Sequence, residues 1–170
     1  EGFEILAELG LRCSIHAENS PILFWRESRM KAAGRDDAFA HLSARADIAA
    51  VLGCDPLELI FTSCGSESDN TAILSALAAQ PEKKHLVTTR VEHPAVKNLC
   101  DNLELFTGRK YHTTRLHVHS DGTLDVQRFR DSLTDETVIV SAMWANNETG
   151  VIFPVEEMAR IARERGILFH

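Results

Sequence analysis

The sequence predicts an α/β fold with a mostly parallel sheet and flanking helices. Short apolar stretches of strand character alternate with longer stretches of helical periodicity. This alternation is typical of strand–helix–strand units with right-handed crossovers. Three of the predicted strands also run directly into polar clusters, which favours a ligand site at their carboxyl ends. The predicted strands are 57–62, 85–89, 111–118 and 138–143, and the predicted helices between them are 66–79, 95–106 and 125–133.

Length and composition indicate one globular domain. A chain of 170 residues can bury a core, and its hydrophobic content of 44% is ordinary for a globular protein. The net charge of −7 argues against nucleic acid as a partner, and no apolar run approaches membrane-spanning length. The first residues lack the pattern of a signal peptide, and the four cysteines lack metal-type spacing. We therefore expect a cytoplasmic protein with reduced thiols. The missing initiator methionine favours a fragment.

The stretch Phe61–Asn70 predicts a strand, a tight turn and the start of a helix. Ser66 and Asp69 stand three residues apart, as in a capping box. Gly65 would let the backbone approach an anion, and the N–H and hydroxyl of Ser66 could donate to a phosphate. An ordinary capped helix without a ligand explains the same residues.

The two other strand ends offer His93 and Asn147. The flat ring of His93 can stack on an aromatic cofactor and can move protons near neutral pH. Pro94 behind it suits the first turn of a helix. The amide of Asn147 can donate to a phenolic oxygen. A loop histidine and a simple turn are the alternatives, but three such clusters at successive strand ends favour one shared crevice.

Five further motifs stand at Ala44–Gly53, Ile60–Asn70, Val91–Val96, Met143–Gly150 and Gly166–His170. On these motifs, residues 45–170 resemble the cysteine desulfurases, above all the nitrogen-fixation type. These are pyridoxal-phosphate (PLP) enzymes of fold type I in the class V aminotransferase family. The resemblance implies that 46–170 is the N-terminal part of the PLP-binding large domain, in truncated form.

The resemblance also implies roles for individual residues. Gly65 and Ser66 would contact the PLP phosphate, and Asn147 would contact the ring oxygen. His93 would stack on the pyridine ring and is the candidate catalytic residue. The complete enzyme would be a homodimer that removes sulfur from L-cysteine, leaves alanine and serves an iron–sulfur scaffold protein.

Three functional residues of the family have no match in this sequence. They are the Asp that pairs with the pyridine nitrogen, the Lys that forms the Schiff base and the nucleophilic Cys. We therefore expect the chain alone to be inactive and to bind PLP weakly.

The first part of the chain contains two other motifs, Glu1–Gly10 and Ile15–Asn19. On these motifs, residues 1–45 resemble a different family, the cyclic amidohydrolases such as allantoinase and dihydropyrimidinase. Residues 34–45 fit either family, so the sequence suggests a chimera. The resemblance implies that His16 is a metal ligand. One imidazole does not hold a catalytic metal, and we predict no metal site at His16. An amidohydrolase remnant and a non-catalytic interaction module remain the alternative functions.

His117 and His119 could suggest a second metal site. They precede Ser120–Gly122, which has the composition of a turn. We predict exposed histidines at a strand end and no metal.

Overall fold

A computed structural model describes residues 28–29, 32–34, 49–50, 52–106 and 111–170. The predictions for residues 1–27, and most of the predicted boundary between the two resemblances at 34–45, lie outside these ranges. None of the helices within them combines the length and apolar character needed to span a membrane. In chain order the elements are a 3-10 turn (Pro56–Glu58), α1 (Gly65–Ala79), β1 (His85–Thr89), α2 (Pro94–Phe106), β2 (His112–Leu116), α3 (Val126–Ser132), β3 (Thr137–Ser141), α4 (Val155–Glu164) and β4 (Leu168–Phe169).

The four strands form one parallel sheet in the order β2-β1-β3-β4, which confirms the predicted α/β fold. Thr88 of β1 pairs with Arg115 of β2 on one side and with Ser141 of β3 on the other. Every residue of β1 and β3 is buried, because both strands are covered on both faces. All strands therefore end at the same edge of the sheet.

Two apolar clusters lie on opposite faces of this sheet. Successive side chains of a strand point to opposite faces, so Leu86 and Val87 belong to different clusters. On one face, α1 and α2 contribute residues such as Ile73 and Cys100. On the other face, α3 contributes Phe129, and α4 contributes several residues. The sheet is thus the middle of three layers.

The strand predicted over 57–62 is wrong. Pro56–Glu58 form a 3-10 turn, which Asp55 caps by accepting the N–H of Leu57 at 2.8 Å. The side chains of Leu57 and Ile60 are 72% and 75% exposed. An apolar run becomes a strand only when its backbone pairs with a neighbour, and none of the described strands pairs with this segment.

Helix α4 was not among the predicted elements. Its buried residues recur at helical spacing, and Gly166 follows it with a φ of 67° that suits glycine. The helix returns the chain across the sheet so that β4 can pair with β3 in parallel. The buried residues are Val155, Met158, Ala159, Ile161 and Ala162.

Candidate functional site

The start of α1 and the ends of β1, β3 and β4 meet at one edge of the sheet. His170 follows β4, and its Nδ1 lies 3.0 Å from the Ser141 hydroxyl at the end of β3. Its Nε2 lies 3.6 Å from the carboxylate of Asp69 in the second turn of α1. These contacts bring the α1 start to the carboxyl edge, where parallel α/β sheets bind ligands.

The first turn of α1 is organised by Ser63 and Glu67, so the capping box predicted for Ser66 and Asp69 is wrong. The N-cap is Cys64, and Glu67 accepts both the N–H and the hydroxyl of Ser63 at 2.6 Å. The hydroxyl bond from Ser63, followed by the backbone bond, lowers the pKa of Glu67. Ser66 is the second helical residue and is exposed. Its N–H is one of the donors that a helix start leaves without an intrahelical acceptor.

His93 immediately precedes α2 and is exposed. Its Nδ1 accepts the N–H of Ala95 at 3.1 Å, so His93 acts as a cap for the helix. Because Nδ1 accepts this hydrogen bond, the neutral form of the ring carries its own proton on Nε2. In this geometry His93 can donate a hydrogen bond from Nε2.

Asn147 lies in the loop that follows β3, and its side chain is exposed. The loop is a hairpin closed by an antiparallel bridge between Ala145 and Ile152. Gly150 reverses the chain with a φ of 72°, a value that residues with a side chain rarely adopt. It donates its N–H to the carbonyl of Asn146 at 2.8 Å. Within the described residues, no hydrogen bond occupies the Asn147 amide, which leaves it available to a ligand.

Asn146 is buried, in contrast to Asn147. Its amide nitrogen donates to the carbonyl of Val91 at 3.0 Å. Its oxygen accepts the N–H groups of Glu148 and Thr149 at 3.0 and 2.8 Å. Asn146 therefore fixes its own loop and ties that loop to the β1–α2 connection.

Glu92 makes a second tie between the same two loops. Its carboxylate accepts the Thr89 hydroxyl at 2.6 Å and the N–H of Met143 at 3.1 and 3.2 Å. Burial raises the pKa of Glu92, and the nearby Asp69 adds to this effect, while the bonds from Thr89 and Met143 oppose it. Glu92 is half-buried, and its carboxylate is used by hydrogen bonds within the protein.

Burial also lowers the pKa of His170, and the carboxylate of Asp69 acts in the opposite direction. This favours a neutral imidazole between β3 and α1. His170 then acts as a polar contact inside the sheet edge.

Sequence reasoning missed Glu92 and Asn146, which each stand next to a predicted site residue. A signal was present, since a carboxylate and an amide beside His93 and Asn147 are candidates for internal hydrogen bonds. Which residue of each neighbouring pair faces the protein and which faces solvent depends on the backbone conformation of the loop.

His117 and His119 are exposed beyond β2, as predicted. The turn that follows them is also present, with Gly122 donating to the carbonyl of His119 at 2.9 Å. Its Gly122 has a φ of 84°, and a Cβ there would lie 2.8 Å from the side chain of Val151. Among the described residues, no group of three His, Cys, Asp or Glu side chains is placed to hold a metal ion. His16 lies outside the described ranges.

Comparison with known proteins decides the family. The family described as Aminotransferase class-V matches residues 26–170. The chain belongs to the aminotransferase class V family. Its curated relatives include a cysteine desulfurase of Nostoc sp., which is 52% identical over 128 residues, covering 75% of this chain and 31% of the relative. The cysteine desulfurase NifS of Azotobacter vinelandii is 49% identical over 148 residues, covering 86% of this chain and 36% of NifS.

Solved structures of similar proteins agree with this membership of the class V family. A NifS-like protein is 27% identical with a TM-score of 0.73, covering 92% of this chain and 46% of that structure. DndA from Streptomyces lividans is 30% identical with a TM-score of 0.71, covering 94% of this chain and 47% of DndA. The chain therefore spans about a third of the two curated relatives and just under half of these two structures.

The side chains at the sheet edge fit the cofactor that the class V fold implies, which is PLP. A phosphate needs N–H and hydroxyl donors, which the start of α1 has at Gly65 and Ser66. A flat ring needs a flat surface, and the exposed ring of His93 supplies one. A phenolic oxygen needs a donor, and the Asn147 amide is an exposed donor at the neighbouring strand end.

Proposed function

We propose that this chain supplies the phosphate, ring-face and ring-oxygen contacts of a PLP-dependent cysteine desulfurase. The observation that supports the proposal is that three exposed polar groups lie at or beyond elements that end or begin at one edge of the sheet. They are the α1 start with Ser66, the exposed ring of His93 and the exposed amide of Asn147. The relatives named cysteine desulfurase support the same assignment.

Each residue has a definite task in this proposal. Gly65 and Ser66 bind the phosphate through backbone N–H groups and a hydroxyl, at the positive end of the α1 dipole. His93 packs its ring against the cofactor ring and holds its proton on Nε2. Asn147 donates its amide to the ring oxygen. Bound PLP supplies an electron sink for reactions at the α-carbon of an amino acid.

The activity of the whole protein follows as part of the proposal. We infer that the complete enzyme takes sulfur from L-cysteine, leaves alanine and passes the sulfur to iron–sulfur cluster assembly. A homodimer in the cytoplasm, working with a scaffold protein, is the form we propose for it. His93 is the candidate catalytic residue among the described residues, because it would touch the cofactor.

The 170-residue chain should bind the cofactor weakly, with a dissociation constant on the order of millimolar. The contacts that we assign are noncovalent, and each contributes about 0.5–1.5 kcal/mol, or up to about 3 kcal/mol where charge assists. Together they must exceed an association cost of at least about 4 kcal/mol. Neither the lysine that would bond covalently nor the carboxylate for the ring nitrogen is assigned within this sequence.

Pyridoxine 5′-phosphate is the suitable probe, since it keeps the phosphate, ring and phenolic oxygen but lacks the aldehyde that reacts with surface lysines. Binding would be followed by the fluorescence of Trp144 and by NMR shifts of the Asn147 side-chain amide. Ser66→Ala, His93→Ala and Asn147→Ala should each weaken binding by about two- to tenfold. The matched control is Asn98→Ala, which removes an exposed amide from α2. Equal binding by all four variants, or PLP that stays bound through dialysis, would contradict the proposal.

A further inference from the structure

Two hydrogen bonds join the loop that carries His93 to the loop that carries Asn147. In one, the Glu92 carboxylate accepts the N–H of Met143 at 3.1 and 3.2 Å. In the other, the Asn146 amide donates to the carbonyl of Val91 at 3.0 Å. Each bond joins a side chain of one loop to the backbone of the other, and the two run in opposite directions. We call these two bonds the loop clamp.

The loop clamp has a regular relation to the proposed site. Glu92 directly precedes His93, and Asn146 directly precedes Asn147. In each pair the first side chain is turned into the protein and the second is exposed. A shift of either clamp residue must therefore move the exposed neighbour on the same loop.

Both clamp residues are themselves held firmly. The hydroxyl of the buried Thr89 at the end of β1 donates to Glu92 at 2.6 Å. The oxygen of Asn146 accepts three donors from the two residues beyond Asn147, Glu148 and Thr149. Asn146 is only 7% exposed, so water competes little for its bonds.

We propose that Glu92 and Asn146 are positioning residues that set the separation of His93 and Asn147 and so align the ring-face and ring-oxygen contacts. This inference rests on the proposed function, since the separation matters only if one ligand spans both side chains. Neither residue needs to touch the ligand. The parallel pairing of β1 and β3 fixes the strand ends, and the clamp extends this order beyond them into the loops.

The first test uses Asn146→Asp and Glu92→Ala with pyridoxine 5′-phosphate. The aspartate keeps an oxygen for Glu148 and Thr149 but cannot donate to Val91, so it cuts the bond between the loops. We expect each variant to bind the probe about fivefold more weakly, the factor that one hydrogen bond contributes. Glu92→Gln retains an acceptor oxygen for Met143 and should recover most of the affinity lost in Glu92→Ala.

Thr137→Val is the matched control for stability. Its hydroxyl is buried and hydrogen-bonded to His85 at the opposite edge of the sheet. This variant should lose stability but bind the probe within twofold of wild type, provided that all titrations are made where each protein is folded. If it weakens binding as much as Asn146→Asp does, the role of the clamp is only structural and the proposal fails.

A ligand-free measurement separates this inference from the proposed function. Backbone amide dynamics by NMR should show increased mobility of Val91–His93 in Asn146→Asp, although the substitution lies in the other loop. Glu92→Ala, which adds no buried charge, should speed hydrogen exchange at the Met143 amide and is informative if Asn146→Asp does not fold. Unchanged dynamics would overturn the clamp. If the dynamics change in the variants but the wild type does not bind the probe, the proposed function is overturned and, with it, the positioning role.

Discussion

Replacing Phe129 with alanine should lower the free energy of unfolding by about 3–5 kcal/mol. The Phe129 side chain is fully buried in the cluster that joins α3 to the sheet. Val87 of β1 and Val140 of β3 belong to this cluster. The truncation removes buried apolar surface and leaves a cavity that the surrounding side chains fill only in part. This is a large share of the 5–15 kcal/mol that stabilises a typical domain.

Urea denaturation followed by circular dichroism measures the effect. The control is Leu105→Ala, which truncates an apolar residue of α2 that is 73% exposed. It should change the free energy of unfolding by less than about 0.5 kcal/mol. A loss below about 1 kcal/mol in Phe129→Ala would show that this face of the sheet is not the packed core described above.

The predicted strands that proved correct carry their signal within the segment itself. His85–Thr89 is bounded by polar and turn-forming residues, and β1 spans the same residues. β3 spans Thr137–Ser141, so it begins one residue before the predicted 138–143 and ends two residues earlier. Both strands lie inside the sheet, and their uncharged residues are all buried because both faces are covered.

The segment 57–62 has the same local signal but a different outcome. Whether an apolar run becomes a strand depends on a partner strand, which is a property of the whole fold. Local chemistry decided instead, since Asp55, Pro56 and Glu58 form a capped 3-10 turn. Helix α4 is a helix that was not predicted, although its apolar residues at 155–162 recur at helical spacing.

Some residues of the candidate site could be proposed from the sequence, and others could not. Side-chain chemistry and position at strand ends were enough to propose His93 and Asn147. Ser66 was proposed on the same grounds, but in the structure it follows a 3-10 turn and a loop, and its place at the start of α1 is what remains of that argument. The roles of Glu92 and Asn146 depend on contacts between residues 51 and 55 positions apart, which no local pattern contains. The resemblance to cysteine desulfurases indicated the proposed ligand contacts, whereas the hydrogen bonds between their loops are visible only in the structure.

Acid should destabilise the protein through His85, which is buried at the amino end of β1. Its ring nitrogens are hydrogen-bonded to the hydroxyls of Thr137 and Thr114 at 2.8 and 2.9 Å. The ring of His112 stacks on it at 4.6 Å. Burial, with a smaller contribution from the charge of His112, lowers the pKa of His85 from 6.5 to about 4.

The direction of the effect follows from proton binding. Between pH 6.5 and 4 the unfolded chain holds more protons at His85 than the folded chain, so the free energy of unfolding falls as the pH falls through this window. The stabilisation is fully present above pH 6.5 and is lost below pH 4. A shift of this size corresponds to about 3 kcal/mol.

Urea denaturation of wild type and His85→Gln at pH 7 and at pH 4.5 isolates this contribution. The variant loses packing at both pH values, so the informative quantity is the change in free energy of unfolding between them. The other acidic and basic groups titrate in both proteins, so their contributions cancel when the two proteins are compared. The change between the two pH values should be smaller in His85→Gln by about 2 kcal/mol. An NMR titration of the His85 ring in the wild type gives an independent answer if the variant does not fold. A midpoint near 6.5 would contradict the prediction, since a ring that charges at the ordinary pH cannot be the buried, hydroxyl-bonded group that joins β1 to both of its neighbouring strands.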